Sequence, residues 1–466
     1  MITTTGIFLI MDIHRNAILI KTTLLLLPGC LLSTSVCALS LQESLIAANS
    51  YNAEMKAARS LHAAVQQKKY QGFAGLLPVV TLQGGWNKTD QPDATYSAGV
   101  TRHNYSVNLT QPIIDVAKYA SWRKSLVISN AADVKLLLSQ QKLISDVTTA
   151  FYNVDYQRNV LQTNQRILTA FAARLKQVQK ALALGDSTRL DEDEAQANYD
   201  TAVADKLSSE NDLDDAYIAF HQLTGLDAEG IPDKSLSCVS VKVPLKTEQI
   251  ARDAVSNNLD VLAAIQTQKG SEVDIISSSS NYLPVVTFQA SYGKNWNRAE
   301  NANFLDSLFG TTSKTDNTVV GVNVSIPIFS GGSQISQSIE AAHRFEESKD
   351  LVTEARRKAA QQALQAVSGV KSSQSRIKAY ERAIISARKR LSSTQYGREI
   401  GQRTLIDEFN AEKDYYQAIQ QLAQARNNLI QSIVKLKSAT GALDYAAMES
   451  FNCREPFIIN RDITYE

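Results

Sequence analysis

The chain has 466 residues, 44% hydrophobic and 20% charged, and its 48 basic and 47 acidic side chains leave a net charge of +1. Charges of both signs are dispersed and matched, which argues for solvated helix faces and excludes a polyanion-binding surface, so no nucleic acid partner is expected. Five scattered histidines, the lack of zinc-type cysteine spacing, and the lack of a Ser, His and Asp arrangement or a phosphate loop speak against an enzyme and against a bound metal or cofactor.

Residues 1–38 read as a signal peptide. His14, Arg15 and Lys21 form the basic region, an apolar run follows from Leu24 to Leu32, and Val36-Cys37-Ala38 ends in small residues suited to cleavage after Ala38. Met11 is an alternative start, and Cys30 after Leu27-Pro28-Gly29 is an alternative, lipidated, processing site. Beyond Leu32 no run approaches the roughly 20 apolar residues of a membrane helix, so membrane residence would have to rest on strands.

Residues 39–230 form a first structural repeat: a helix over 39–75, strands about 78–88 and 103–112, a long helix over 115–184 and a helix over 189–224. After Pro78, Val80, Leu82 and Trp86 alternate with Thr81, Gln83 and Asn87; then Tyr105, Val107 and Leu109 alternate with Asn104, Ser106, Asn108 and Thr110. Strands of about ten residues with one apolar face and aromatic ends suit a tilted bilayer crossing. A half-buried hairpin over a soluble core has the same period of two. The remaining hydrophobic residues, however, are used on helix seams, which leaves lipid as the partner for the strand faces. The polar loop 88–102, with Asp90, Pro92 and Asp93, belongs on the outer side. Pro112 stands where strand gives way to helix.

Residues 113–184 contain neither Gly nor Pro, a run that as helix spans about 105 Å. Val147, Val154, Leu161, Leu168, Leu175 and Leu182 recur every seven residues, with Phe151, Phe171 and Val178 beside them, which is a coiled-coil seam. The helices at 39–75 and 189–224 together match the long one, so stacked end to end they make a second rod antiparallel to it.

After a linker at 231–244, residues 245–443 repeat the plan: a helix from 245, strands about 284–297 and 318–328, a long helix over 333–396 and a helix over 403–441, followed by a tail at 444–466. Leu77-Pro78-Val79-Val80 returns as Leu283-Pro284-Val285-Val286. Gly185, Asp191, Ala195, Tyr199 and Thr224-Gly225 return as Gly401, Asp407, Ala411, Tyr415 and Thr440-Gly441 at a constant offset of 216. Val286, Phe288, Tyr292 and Trp296, then Val320, Val322, Val324 and Ile326, carry the apolar alternation. The loop 298–317, with Asn301, Asn303, Thr311 and Thr312, matches the first loop, and Pro327 matches Pro112. Cys238 and Cys453 follow the two repeats; an even count in an exported chain allows a disulfide between them as well as two separate thiols. Four membrane strands cannot close a barrel, so the chain has to form an oligomeric pore.

Leu109-Thr110-Gln111-Pro112-Ile113-Ile114-Asp115, Ser325-Ile326-Pro327-Ile328-Phe329-Ser330-Gly331-Gly332, Gly401-Gln402-Arg403-Thr404-Leu405-Ile406-Asp407 and the helix ends Leu223-Thr224-Gly225 and Ala439-Thr440-Gly441 together resemble the TolC family of outer-membrane efflux and secretion channels. The resemblance implies a mainly α fold with a small membrane β part. Duplicated helical hairpins and four strands per chain would trimerise into a 12-stranded β-barrel in the outer membrane and a 12-helix barrel in the periplasm. It further implies a passive duct docked by a periplasmic adaptor and served by an inner-membrane transporter of the RND, ABC or MFS type, in drug efflux or type I secretion. The tips that the adaptor contacts would be Leu184, Gly185, Ile400 and Gly401. The periplasmic gate would rest on Asp407, with Asn410 at the second, normally acidic, position, on Arg403 with Asp191 as a constraining pair, and on Arg398 where the family pattern has Tyr. Three Asp407 side chains around a narrow lumen would attract cations and raise one another's pKa. By local rules alone, Asp191 and Asp407 are equally well explained as first-turn acids at helix starts. A coiled-coil scaffold or adhesin of the envelope is the competing reading, and it needs no lipid-facing strands.

Overall fold

The computed structural model describes residues 39–90, 99–233, 247–299, 304 and 313–451. The leader at 1–38 with Met11 and Cys30, Cys238 and most of the linker, Pro92, Asp93, Asn301, Asn303, Thr311 and Thr312 of the hairpin loops, and Cys453 with most of the tail lie outside these residues.

Three helices, α1 (Leu41–Tyr51), α2 (Ala53–Gln66) and α3 (Lys68–Ala74), precede strands β1 (Val79–Asp90) and β2 (Gly99–Ile114). The 69-residue α4 (Val116–Leu184) and α5 (Arg189–Thr224) complete the first half. The second half contains α6 (Thr247–Asn257), α7 (Leu259–Ser279), β3 (Val285–Ala299), β4 (Ser313–Ser325), the 67-residue α8 (Ser333–Glu399) and α9 (Leu405–Ala439). No helix among the described residues is long and apolar enough to cross a membrane.

The single helix expected over 39–75 is broken, and so is its counterpart in the second half. Asn52 and Asn258 take extended ψ angles of 123° and 130°, and their side chains accept from Met55 N at 2.9 Å and from Asp260 N at 2.9 Å. An asparagine cap that satisfies the next helix start ends one helix and begins another. The two asparagines lie 206 residues apart, the offset that separates Leu77 from Leu283.

These breaks are the junctions of the composite rods. α2 and α3 run beside the first part of α4, where Ser129 donates to Gln66 at 2.6 Å and Lys142 meets Glu54 at 2.6 Å; α5 runs beside the remainder. The end of α5 at Gly225 lies against Tyr51, and the end of α9 at Gly441 lies against Asn257, the residue before each break. Asn258 also donates to the Ala439 carbonyl at 3.0 Å, tying the second junction. The main core gathers where α1, mid-α4 and the ends of α5 and α9 converge, around Leu45, Val147, Tyr152, Phe220, Ile430 and Ile433. Arg158 holds the segment after α5 by donating to the carbonyls of Ile231 at 2.5 Å and Ala228 at 2.8 Å. Small residues, Ala195 and Ala202 on α5 and Ala411, Ala418 and Ala425 on α9, fill buried positions at heptad spacing.

The four strands form one antiparallel sheet in the order β1-β2-β3-β4. Val80 pairs with Leu109 and Leu109 with Ala290; Ala290 pairs with Val320, while Leu82 meets Val107, Val107 meets Tyr292, and Phe288 meets Val322. Directly paired residues share a face, so the apolar alternation of all four strands falls in phase on one side. Thr81, Asn108 and Ser291 line up on the other side with Thr110, Gln289 and Gly321. Leu82 is 75% exposed and Val320 65%: no helix among the described residues covers the apolar face. Tyr105 and Trp296 touch with ring centroids 5.4 Å apart at one end of it, where Lys294 pairs with Asp316 at 3.2 Å.

Two strand details differ from expectation. The strands are 12 to 16 residues long, because their polar ends continue the ladder beyond the apolar band. Pro112 lies inside β2, at the register shift between Pro112 and Ile114, where a residue without an N–H is accommodated by a bulge.

Candidate functional site

The two helix turns Leu184 to Arg189 and Glu399 to Leu405 carry most of the residues singled out from sequence. α4 stops at Gly185 with φ 81°, and α8 gives way to Gly401 with φ 73°. Left-handed backbone at a helix end favours glycine, which explains why this pair survives the internal repeat. Leu184 is 78% exposed and Ile400 49%, and Leu190 and Ile406 extend the same exposed apolar set.

Thr188 and Thr404 cap the returning helices, and Asp191 and Asp407 are the reciprocal members of two capping boxes. Asp407 accepts the Thr404 N–H at 3.0 Å and its hydroxyl at 2.9 Å; Asp191 accepts the same groups of Thr188 at 3.0 and 2.7 Å, and the Ser187 hydroxyl at 3.1 Å. Hydrogen bonds from the threonine backbone and hydroxyl hold both carboxyls below the usual aspartate range. Within one protomer the shift therefore runs opposite to the upward shift expected among three facing aspartates. A depressed folded pKa means that the caps contribute fully above the ordinary aspartate range and lose that contribution as pH falls through the folded value.

Arg403 and Asn410 are exposed beside Asp407. The Arg403 N–H donates to the Gly397 carbonyl at 3.1 Å, and its side-chain stem covers Gly397. Asp191 and Arg403 make no ion pair with each other among the described residues of one protomer. Arg398 points elsewhere, at Glu408.

Glu408 is the residue that sequence reading missed. It is 1% exposed and forms ion pairs with Arg398 of α8 and Arg174 of α4. Phe171 and Phe409, which meet edge-on with centroids 5.2 Å apart, belong to a small apolar cluster with Val178, Ala195 and Ala202 on the same stretch of the helices. Glu412 adds a second carboxylate close to Arg174; burial pushes its pKa up, while the arginine opposes that shift. Burial also lowers Arg174, with Arg398 acting in the same direction. Removing one member of such a buried set typically costs about 3–5 kcal/mol, because an uncompensated charge is left behind. A signal was present in the sequence: alternating steps of three and four back from Ala425 through Ala418 and Ala411 put Glu408 in the coiled-coil seam. A charged residue there needs a partner from another helix.

The pattern of the outer membrane efflux protein family matches residues 46–226 and 250–442. The chain is 28% identical over 415 residues to outer membrane protein TolC of Escherichia coli strain K12, covering 86% of this chain and 82% of that protein. It is 25% identical over 412 residues to the alkaline protease secretion protein AprF of Pseudomonas aeruginosa, covering 85% and 83%. Its fold is similar to the outer membrane protein VceC of Vibrio cholerae, with a TM-score of 0.72 at 17% identity over 86% of this chain and 96% of that one.

Proposed function

The chain belongs to the outer membrane efflux protein family, and from that premise we propose that it is a homotrimeric exit duct, closed at its periplasmic end by the helix turns. Membership gives it an outer-membrane location with the helical rods in the periplasm, and its relatives are channel proteins rather than enzymes. The observation that carries the proposal is the sheet. Among the described residues it has one in-phase apolar face without a cover and two edge strands, β1 and β4, each paired on one side alone. In lipid an open edge is untenable, so the edges pair with those of other copies. Three copies of four strands give a twelve-stranded barrel, and the rods continue it as a tunnel about 100 Å long.

Passage is passive. The exposed apolar tips Leu184, Gly185, Ile400 and Gly401, with Leu190 and Ile406, meet a periplasmic adaptor, which joins the duct to an inner-membrane RND, ABC or MFS transporter. Asp407 and Arg403 lie beside each other at the turn, supporting a gate in which Arg403 of one copy reaches Asp191 of the next and three Asp407 carboxylates attract cations. Asn410 leaves this gate with one acidic ring, which weakens block by multivalent cations relative to a doubly acidic constriction. A scaffold or adhesin would leave the apolar sheet face without a role.

In planar bilayers, Asp407→Ala should reduce cation selectivity, and Arg403→Ser should raise the open probability; unchanged behaviour in both would move the gate elsewhere. The parent reading is tested by expression in a strain deleted for its own export channel. Recovery of drug or polypeptide export supports the duct, and trimers that reach the outer membrane without restoring either point to the scaffold.

A further inference from the structure

We propose that the outer end of the lipid-facing side of the sheet is a binding belt for a lipid with a phosphorylated headgroup, a bisphosphorylated glycolipid of the outward leaflet; this rests on the duct reading above. Five Lys and Arg residues occur in the four strands. The register puts Lys88, Lys294, Arg298 and Lys314 on the apolar side of the sheet and Arg102 on the polar side. All four lie toward the strand ends that point away from the helices, and the helices are in the periplasm. At the helix end of the same face the pairs of Phe288 with Gln111 and Val322, and of Val286 with Ile114 and Val324, carry no charge. Cations that only snorkel to the nearest water would serve either end of the apolar band equally. Their restriction to the outer end matches an anionic surface on that side alone.

The height of the belt fits headgroups. Lys314 lies ten residues from Val324 on β4, about 33 Å along a strand. At a tilt of roughly 40° this rises about 25 Å, the full apolar band of a membrane barrel. Trp86, His103, Trp296 and Lys314 pair across the sheet in one continuous rung, with Tyr105 and Lys294 one rung nearer the apolar band and Lys88 and Arg298 one rung further out. Lys314 Nζ stands 5.9 Å from the centre of the Trp296 ring, and Tyr105 packs against the same ring. A flat aromatic surface therefore lies beside the cations, suited to a sugar ring above and acyl chains below. Asp316 takes up Lys294 at 3.2 Å, so the phosphates fall to Arg298 and Lys314. Those two are diagonal neighbours on β3 and β4, about 7–8 Å apart at their backbones. In the proposed trimer β4 pairs with β1 of the next copy, which brings the strand of Lys88 beside that of Lys314. Cations spread over adjacent strands suit a headgroup with phosphates at two places better than one with a single phosphate.

The test is native mass spectrometry of the full-length trimer in mild detergent, titrated with bisphosphoryl lipid A, monophosphoryl lipid A and phosphatidylethanolamine. The wild type should hold the bisphosphoryl form about fivefold or more tighter than the monophosphoryl form, the ratio that one added cation–phosphate contact supplies. The Arg298→Gln, Lys314→Gln double variant should lose that preference, and the Arg298→Lys, Lys314→Arg variant should keep it. Arg102→Gln, on the lumen side, should bind all three lipids as the wild type does. Equal retention of the three lipids by the wild type, or an unchanged preference in the double glutamine variant, overturns the belt. If the double variant does not assemble, Lys314→Gln decides in its place: a reduced preference upholds the belt, and a wild-type preference overturns it. A trimer that conducts ions but shows no lipid preference sinks the belt and leaves the duct standing. Failure of the wild type to form a trimer defeats both.

Discussion

Val322→Arg should abolish assembly of the protein in the outer membrane, whereas Asn323→Arg, one residue further along β4, should assemble and lower cation conductance. The two positions differ only in which side of the sheet they occupy. Val322 pairs with Phe288 on the apolar face and is 59% exposed, and Asn323 pairs with Thr287 on the polar face. A cation on the lipid face near the bilayer midplane costs about 2–4 kcal/mol per copy, and the proposed trimer would carry it three times. On the lumen side the same guanidinium stays in water and acts only by repelling cations. Detergent extraction followed by gel analysis of unheated samples reads both variants. Equal assembly of the two would mean that the sheet does not divide lipid from lumen.

Gly441→Ala should lower the melting temperature far more than Gly401→Ala. Both glycines have positive φ, 68° and 73°, so both substitutions carry the left-handed cost of roughly 1–2 kcal/mol. At Gly401 nothing lies within 4 Å of an added β-carbon, and that cost is the whole effect. At Gly441 the β-carbon would stand 2.2 Å from the Asn257 carbonyl oxygen, a backbone atom at the junction of α9 with the break between α6 and α7. Overpacking against backbone adds roughly 1–3 kcal/mol or more. Melting followed by circular dichroism separates the two variants; equal shifts would show that the junction yields without loss.

The same glycines illustrate what was legible beforehand. Gly185, Gly225, Gly401 and Gly441 stand out through the internal repeat, and all four prove to be helix stops with positive φ. The strand faces were legible too, because the period of two is a local property and pairing only had to bring the four alternations into phase. The breaks at Asn52 and Asn258 are not legible in the sequence although they recur at the strand offset, since an asparagine inside a helical run is weakly unfavourable and signals a break only when its side chain caps the next segment. Glu408 escaped for a different reason. It pairs with Arg174, more than two hundred residues away in sequence, a contact that no local pattern signals. Asp407 itself has a local structural use as a capping-box member, which accounts for its recurrence at Asp191 without reference to a lumen.

The proposed pore is closed by three copies of this chain. Its most direct test is purification from outer membranes in mild detergent, a mass measurement, and recording of the same sample in a planar bilayer. A trimer with small, cation-selective conductance is the predicted result. A soluble monomer without conductance would rule out the trimeric pore.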